Sequence, residues 1–231
     1  MTTQPAADVR LVPAPEAGVW RLDKQEAGLT YDRLLAEDST SQAGNRWSTP
    51  RCGVLYCSSH QDACFAEDLV ALKVHPDMRD DVEEAWQQAG QPAPGIVVRD
   101  WTAKRTLLRL AVPKPFLFLD VDDETTQRVL TKELSDRFDE LGVDDPELTG
   151  LHMRGRNRRL TRAIVEWALE QQTPRGTPRI HGIAYRSNYA MRQCWAIFQY
   201  ATPLTTLESS YVYPEAEPLQ AVAQEYGLRV M

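Results

Sequence analysis

The chain has 231 residues, with 33 acidic side chains against 26 basic ones and a formal net charge of -7 at pH 7. That length admits one large domain or two small ones, and no linker-like stretch divides it, so one domain is expected. The acid excess argues against nucleic acid as a partner of the whole surface, although a local basic patch is compatible with it. No apolar run approaches the roughly 20 residues that a membrane span needs. The first ten residues, MTTQPAADVR, lack the basic and apolar regions of a signal peptide, so the expected location is the cytoplasm. Cys52, Cys57, Cys64 and Cys194 are not at C-x-x-C spacing, and reduced thiols are expected. His60, His75, His152 and His181 form no metal-ligand pair, so no metal is expected.

Residues 1–16 are rich in Pro and Ala and are expected to be loose, with the domain proper running over 17–231. Residues 19–22 suit a strand and 31–37 a short helix. A polar loop over 39–45 leads into a turn carrying Arg46 and Trp47. The apolar run 53–56 is a buried strand ending in Tyr56. Ser59 and Asp62 have the spacing of a capping box, with Asp for the usual Glu. The helix that follows places Glu67 about two turns in. A second helix is expected over 78–88, and the apolar runs 96–101, 106–112 and 116–121 that follow supply two or three strands. Asp120, Asp122, Asp123 and Glu124 precede a helix over 125–141, where acidic residues complement the helix dipole. Arg154, Arg156, Arg158, Arg159 and Arg162 lead into an amphipathic helix. Strands at 180–185 and 194–200 and a helix at 219–226 complete the chain. Strands and helices do not alternate strictly, which points to α+β. No Gly-x-Gly-x-x-Gly fingerprint is present, which excludes a Rossmann-type NAD site.

Three pieces, Trp20-Arg21-Leu22, the Gly44-Asn45-Arg46-Trp47 turn with Tyr56 and Glu67, and 182–187 with 194–198, occur in an order that resembles the RES-domain family. The resemblance implies a single domain with a mixed, ADP-ribosyltransferase-like β core flanked by helices. It also implies NAD as a consumed substrate and not a recycled cofactor. Members of the family often serve as toxins beside a small antitoxin, here expected to be of helix-turn-helix type. On that resemblance Glu67 is the carboxylate that stabilises the ribose cation as nicotinamide leaves. Arg21 and Arg46 grip the pyrophosphate through their planar forks. Tyr56, with Tyr31 behind it, stacks on nicotinamide. Ser187 orients an amide or a ribose hydroxyl; the helix over 159–166 offers Thr161 and no serine for the same place. The acceptor of the ADP-ribosyl group is water, phosphate or a protein side chain. The alternatives are an ADP-ribosyltransferase with a protein target and a non-catalytic interaction module on the same fold.

Overall fold

Residues 182–186 and 193–198 are apolar at nearly every position, the pattern of strands covered on both faces. They lie in the interior of the main sheet. A computed structural model describes residues 8–24, 29–74, 95–189 and 191–231. Along those residues the strands are β1 (Leu11–Pro13), β2 (Val19–Lys24), β3 (Val54–Ser58), β4 (Ile96–Val97), β5 (Arg105–Ala111), β6 (Leu117–Asp120), β7 (Gly182–Arg186), β8 (Gln193–Phe198), β9 (Thr205–Tyr211) and β10 (Arg229–Val230). The helices are α1 (Gln61–Leu69), α2 (Arg99–Ala103), α3 (Glu124–Leu134), α4 (Phe138–Leu141), α5 (Gly150–Arg154), α6 (Arg158–Glu170) and α7 (Glu217–Tyr226).

An eight-stranded sheet runs in the order β1-β6-β7-β8-β3-β2-β5-β9, with β4 and β10 forming a separate parallel pair. Within the large sheet β6 and β7 are parallel and the other neighbours antiparallel. This mixed sheet with flanking helices is an α+β architecture. Gly182 is required where β7 meets β8, because an added Cβ would lie 2.2 Å from the Ala196 carbonyl oxygen. Leu130 of α3 and Ile164 and Trp167 of α6 pack with Val54, Ile183 and Phe198. Phe65 and Leu69 of α1 and Leu219 and Val222 of α7 pack with Leu107, and Trp20 and Leu22 lie against that cluster. Leu55, Cys57, Phe118, Trp195 and Ile197 form a third cluster that also holds Val19 and Leu110. Each fully buried Leu or Phe contributes about 1.5–3 kcal/mol, more than a surface ion pair does. The packing of these clusters, not the surface charge, therefore holds the sheet.

One junction in the sheet is thin. β2 meets β3 at a single pair, Trp20↔Ser58, whereas β2 pairs with β5 at six positions from Val19↔Leu110 to Lys24↔Arg105. Arg21 spans the opening by donating from Nη1 to the Tyr56 carbonyl at 3.0 Å and from Nη2 to the Thr30 carbonyl at 3.0 Å.

Several local expectations change. Residues 11–13 are not loose but pair with β6 as an edge strand. Residues 31–37 do not form the expected helix. Asp32 exchanges backbone hydrogen bonds with Val54 at 2.8 and 2.7 Å, and a 3-10 turn covers only Ala36–Asp38. The N-cap of α1 is His60, and the expected capping box is absent. Ser59 Oγ instead accepts from Trp195 Nε1 at 2.9 Å, and Asp62 pairs with Arg192 at 2.6 Å. Trp101, expected in a strand, lies in α2. The helix over 125–141 is interrupted by a 3-10 turn at Ser135–Arg137. The helix expected over 78–88 lies outside the described residues. No helix among the described residues is long and apolar enough to cross a membrane.

Candidate active site

The turn carrying Arg46 is built from its neighbours. Gly44 has φ +80°, a left-handed conformation that favours glycine. Trp47 is fully buried in the core beside Tyr185, with ring centroids 5.6 Å apart. The anchored Trp47 leaves Arg46 over the Tyr185 ring, its guanidinium carbon 5.5 Å from the centroid. The turn closes on itself through Ser48 N–H to the Asn45 carbonyl at 3.1 Å and Asn45 N–H to Ser48 Oγ at 2.9 Å. It is tied to β3 by Trp47 N–H donating to Tyr56 Oη at 3.0 Å. Ser48 spends its one hydroxyl proton on the Asp32 carboxylate. In the 3.4 Å contact between Tyr56 Oη and Ser48 Oγ the tyrosine is therefore the donor. The relay runs Trp47 N–H, Tyr56 hydroxyl, Ser48 hydroxyl, Asp32 carboxylate. Burial pushes the Tyr56 phenol far above its ordinary range and keeps it protonated.

Arg162 of α6 holds the same loop from behind. It is 3% exposed and donates to the carbonyls of Ser39, Ser41, Ala43 and Ser48. Burial lowers its pKa, and the carbonyl oxygens solvate the cation in place of water.

A cavity of about 440 Å³ opens beside the turn, at the thin junction between β2 and β3. Arg21, Arg46, Tyr56, Glu67, Arg158 and Tyr185 all line it. Two charges in its wall are incompletely satisfied. Arg46 Nε and Nη1 are buried without a hydrogen-bond partner, and so is Glu67 Oε1. Among the described residues the two do not pair with each other. Leaving such atoms bare costs about 1–3 kcal/mol each, more for charged groups, unless a ligand satisfies them. Arg158 adds a second guanidinium, its pKa lowered first by burial and then by the charge of Arg46. The cavity is lined by the guanidinium groups of Arg21, Arg46 and Arg158 and by the carboxyl groups of Asp32, Glu67 and Asp68, of which Asp32 is bonded to Ser48 and Asp68 is paired with Arg105 at 2.8 Å. Burial and then the Glu67 charge push the Cys194 thiol in its wall upward. Among the described residues no three His, Cys, Asp or Glu side chains gather as a metal site would require.

A family model described as the RES domain matches residues 18–219. The chain belongs to the RES domain family. No curated protein matches it in sequence. Among solved structures, a chain from the crystal structure of the M. tuberculosis MbcT-MbcA toxin-antitoxin complex is similar at 16% identity. The similarity covers 90% of this chain and 87% of that one, with a TM-score of 0.44.

Within this RES domain, four of the six residues expected at the site line one cavity: Arg21, Arg46, Tyr56 and Glu67. Arg21 is largely committed to the protein. Besides its two carbonyl contacts, its Nε donates to Asp23 at 2.9 Å, which leaves two of its five N–H groups. Tyr31 is not among the cavity residues. Thr30 and Asp32 line the cavity, and the side chain between them packs with the Leu55 and Cys57 cluster, as alternation along extended backbone dictates. Ser187 is fully buried outside the cavity lining. Its Oγ accepts from Tyr189 N–H at 3.1 Å and so holds a tyrosine that does line the cavity. Thr161 is also fully buried, bonding back to the carbonyls of Asn157 and Arg158.

Asp32, Ser48, Arg162 and Tyr185 were not assigned roles from the sequence. Arg162 and Arg158 stood undivided within the basic cluster. The cluster has several uses: Arg154 pairs with Asp122 at 3.1 Å, and Arg159 donates to the Thr40 carbonyl at 2.8 Å.

Proposed function

We propose that this RES domain cleaves the nicotinamide–ribose bond of NAD and consumes it as a substrate. The observation that carries the proposal is the charge pattern of the cavity. Bare N–H groups of Arg46 and a bare oxygen of Glu67 lie in one wall without pairing. NAD has the complementary pattern, with an anionic diphosphate and a cationic pyridinium on ribose. Arg46 and Arg158 hold the diphosphate, and Arg21 adds its two remaining N–H groups. The rings of Tyr56 and Tyr185 wall the nicotinamide and exclude water.

The bond between ribose C1′ and the nicotinamide nitrogen breaks, and its electron pair leaves with the neutral nicotinamide. Positive charge collects on the ribose. The Glu67 carboxylate stabilises that charge until an acceptor adds to C1′ and loses a proton. Nicotinamide is already a good leaving group, so the site needs no strong general acid. The acceptor is water, phosphate or a protein side chain.

In the cell the same proposal makes the protein a cytoplasmic, NAD-depleting toxin. A small antitoxin of helix-turn-helix type restrains it. The test is product identification from NAD incubated with purified protein, with and without inorganic phosphate. Release of nicotinamide is expected, and the second product names the acceptor. An undiminished NAD pool refutes the proposal.

A further inference from the structure

The cavity continues into a second cleft that its charges single out. Arg46, Arg158 and Tyr189 border both spaces. The second cleft adds Arg154, Arg156 and Gln42, and among the described residues no carboxylate lines it. In a chain of net charge -7 this is a local concentration of cations. Arg154 is compensated by Asp122 at 3.1 Å. Arg156 is exposed and borders the loop carrying Asp144, Asp145 and Glu147, yet it pairs with none of them among the described residues. Among the described residues, Arg46, Arg156 and Arg158 are therefore three guanidinium groups without a carboxylate partner.

On the NAD reading, a diphosphate carries two negative charges and is served by Arg46 and Arg158. On that reading the adenosine half, which is uncharged, would continue into the second cleft. It gives Arg156 nothing to neutralise. We infer that the second cleft is a phosphate subsite in which Arg156 receives the 2′-phosphate of a phosphorylated dinucleotide, so that the preferred substrate class is NADP. In the unrelated Rossmann fold, an arginine near the adenosine ribose accommodates that group. A guanidinium also matches phosphate oxygens in a planar fork. The inference rests on the NAD reading but can fail separately from it.

The test is calorimetric titration of the full chain, in phosphate-free buffer, with ADP-ribose and with ADP-ribose 2′-phosphate. The phosphorylated ligand is expected to bind on the order of tenfold tighter, as charge-assisted contacts to one more phosphate imply. Arg156→Ala should collapse that preference toward unity, Arg156→Lys should restore part of it, and added salt should shrink it. Equal affinities in the parent protein overturn the subsite and leave the NAD reading standing. Failure to bind either ligand overturns both. Inorganic phosphate is titrated alone as a third arm. Its binding, with no preference between the two nucleotides, assigns the cleft to free phosphate and overturns the dinucleotide inference. A loss in Arg156→Ala that is equal for both ligands means that Arg156 stacks on adenine, and that also overturns it.

Discussion

At the scale of single residues the cavity separates two jobs. On the proposed mechanism Glu67 would act on charge that exists fully only as the glycosidic bond breaks, whereas Arg46 would act on a phosphate that is charged throughout. Glu67→Gln should therefore lower kcat by about 10²–10³, the usual cost of losing one transition-state contact, with KM little changed. Arg46→Ala should act chiefly on KM, because it removes a contact present in the ground state. Nicotinamide release at several NAD concentrations, with melting curves to confirm folding, separates the two outcomes. A folded Glu67→Gln that turns over NAD at the parent rate removes Glu67 from the mechanism. Arg46, Tyr56 and Glu67 were brought together from the sequence through the family resemblance, and all three line the cavity, Tyr56 from the middle of β3 and not from its end. Tyr31 does not line it, and the expected helix over 31–37 concealed the alternation that turns its ring away from the cavity.

At the scale of elements the loop before β3 depends on α6. Arg162 reaches carbonyls more than 110 positions earlier in the chain, a relation that no local pattern announces. Arg162→Met should strand those carbonyls and cost about 3 kcal/mol of stability. Arg162→Lys keeps the charge but loses the fork, so it should melt closer to the parent while raising KM for NAD several-fold. A merely structural role would move the melting temperature and leave KM alone; melting and steady-state assays on both variants decide this. β9 escaped notice for a different reason. All but one of its residues are exposed, so it shows no alternation of apolar and polar positions, and it is identified only through its pairing with β5. β7 and β8, apolar at all but Arg186 and Gln193, were legible without any partner.

At the scale of the whole molecule, burial sets how stability depends on alkaline pH. The Cys64 thiol is pushed up from its ordinary 9.0 to about 11, and burial raises Cys52, Cys57 and Cys194 as well. Above pH 9 the unfolded chain loses thiol protons that the folded chain keeps, so the unfolded state binds fewer protons. Stability is then full below about pH 9 and falls as pH rises through the folded values. Urea midpoints should be level from pH 7 to 8 and drop by pH 10, each thiol adding a slope on the order of 1 kcal/mol per pH unit. A midpoint unchanged at pH 10 contradicts this. The lone Trp20↔Ser58 contact in the sheet bears on cohesion in another way. It lies where the substrate is proposed to sit, between Arg21 of one strand group and Tyr56 of the other. A dinucleotide lodged there is a removable staple, adding its own binding free energy to the grip between the two sheet halves. On the proposed reaction turnover would cut the staple, and each catalytic cycle would hand back the cohesion that binding supplied.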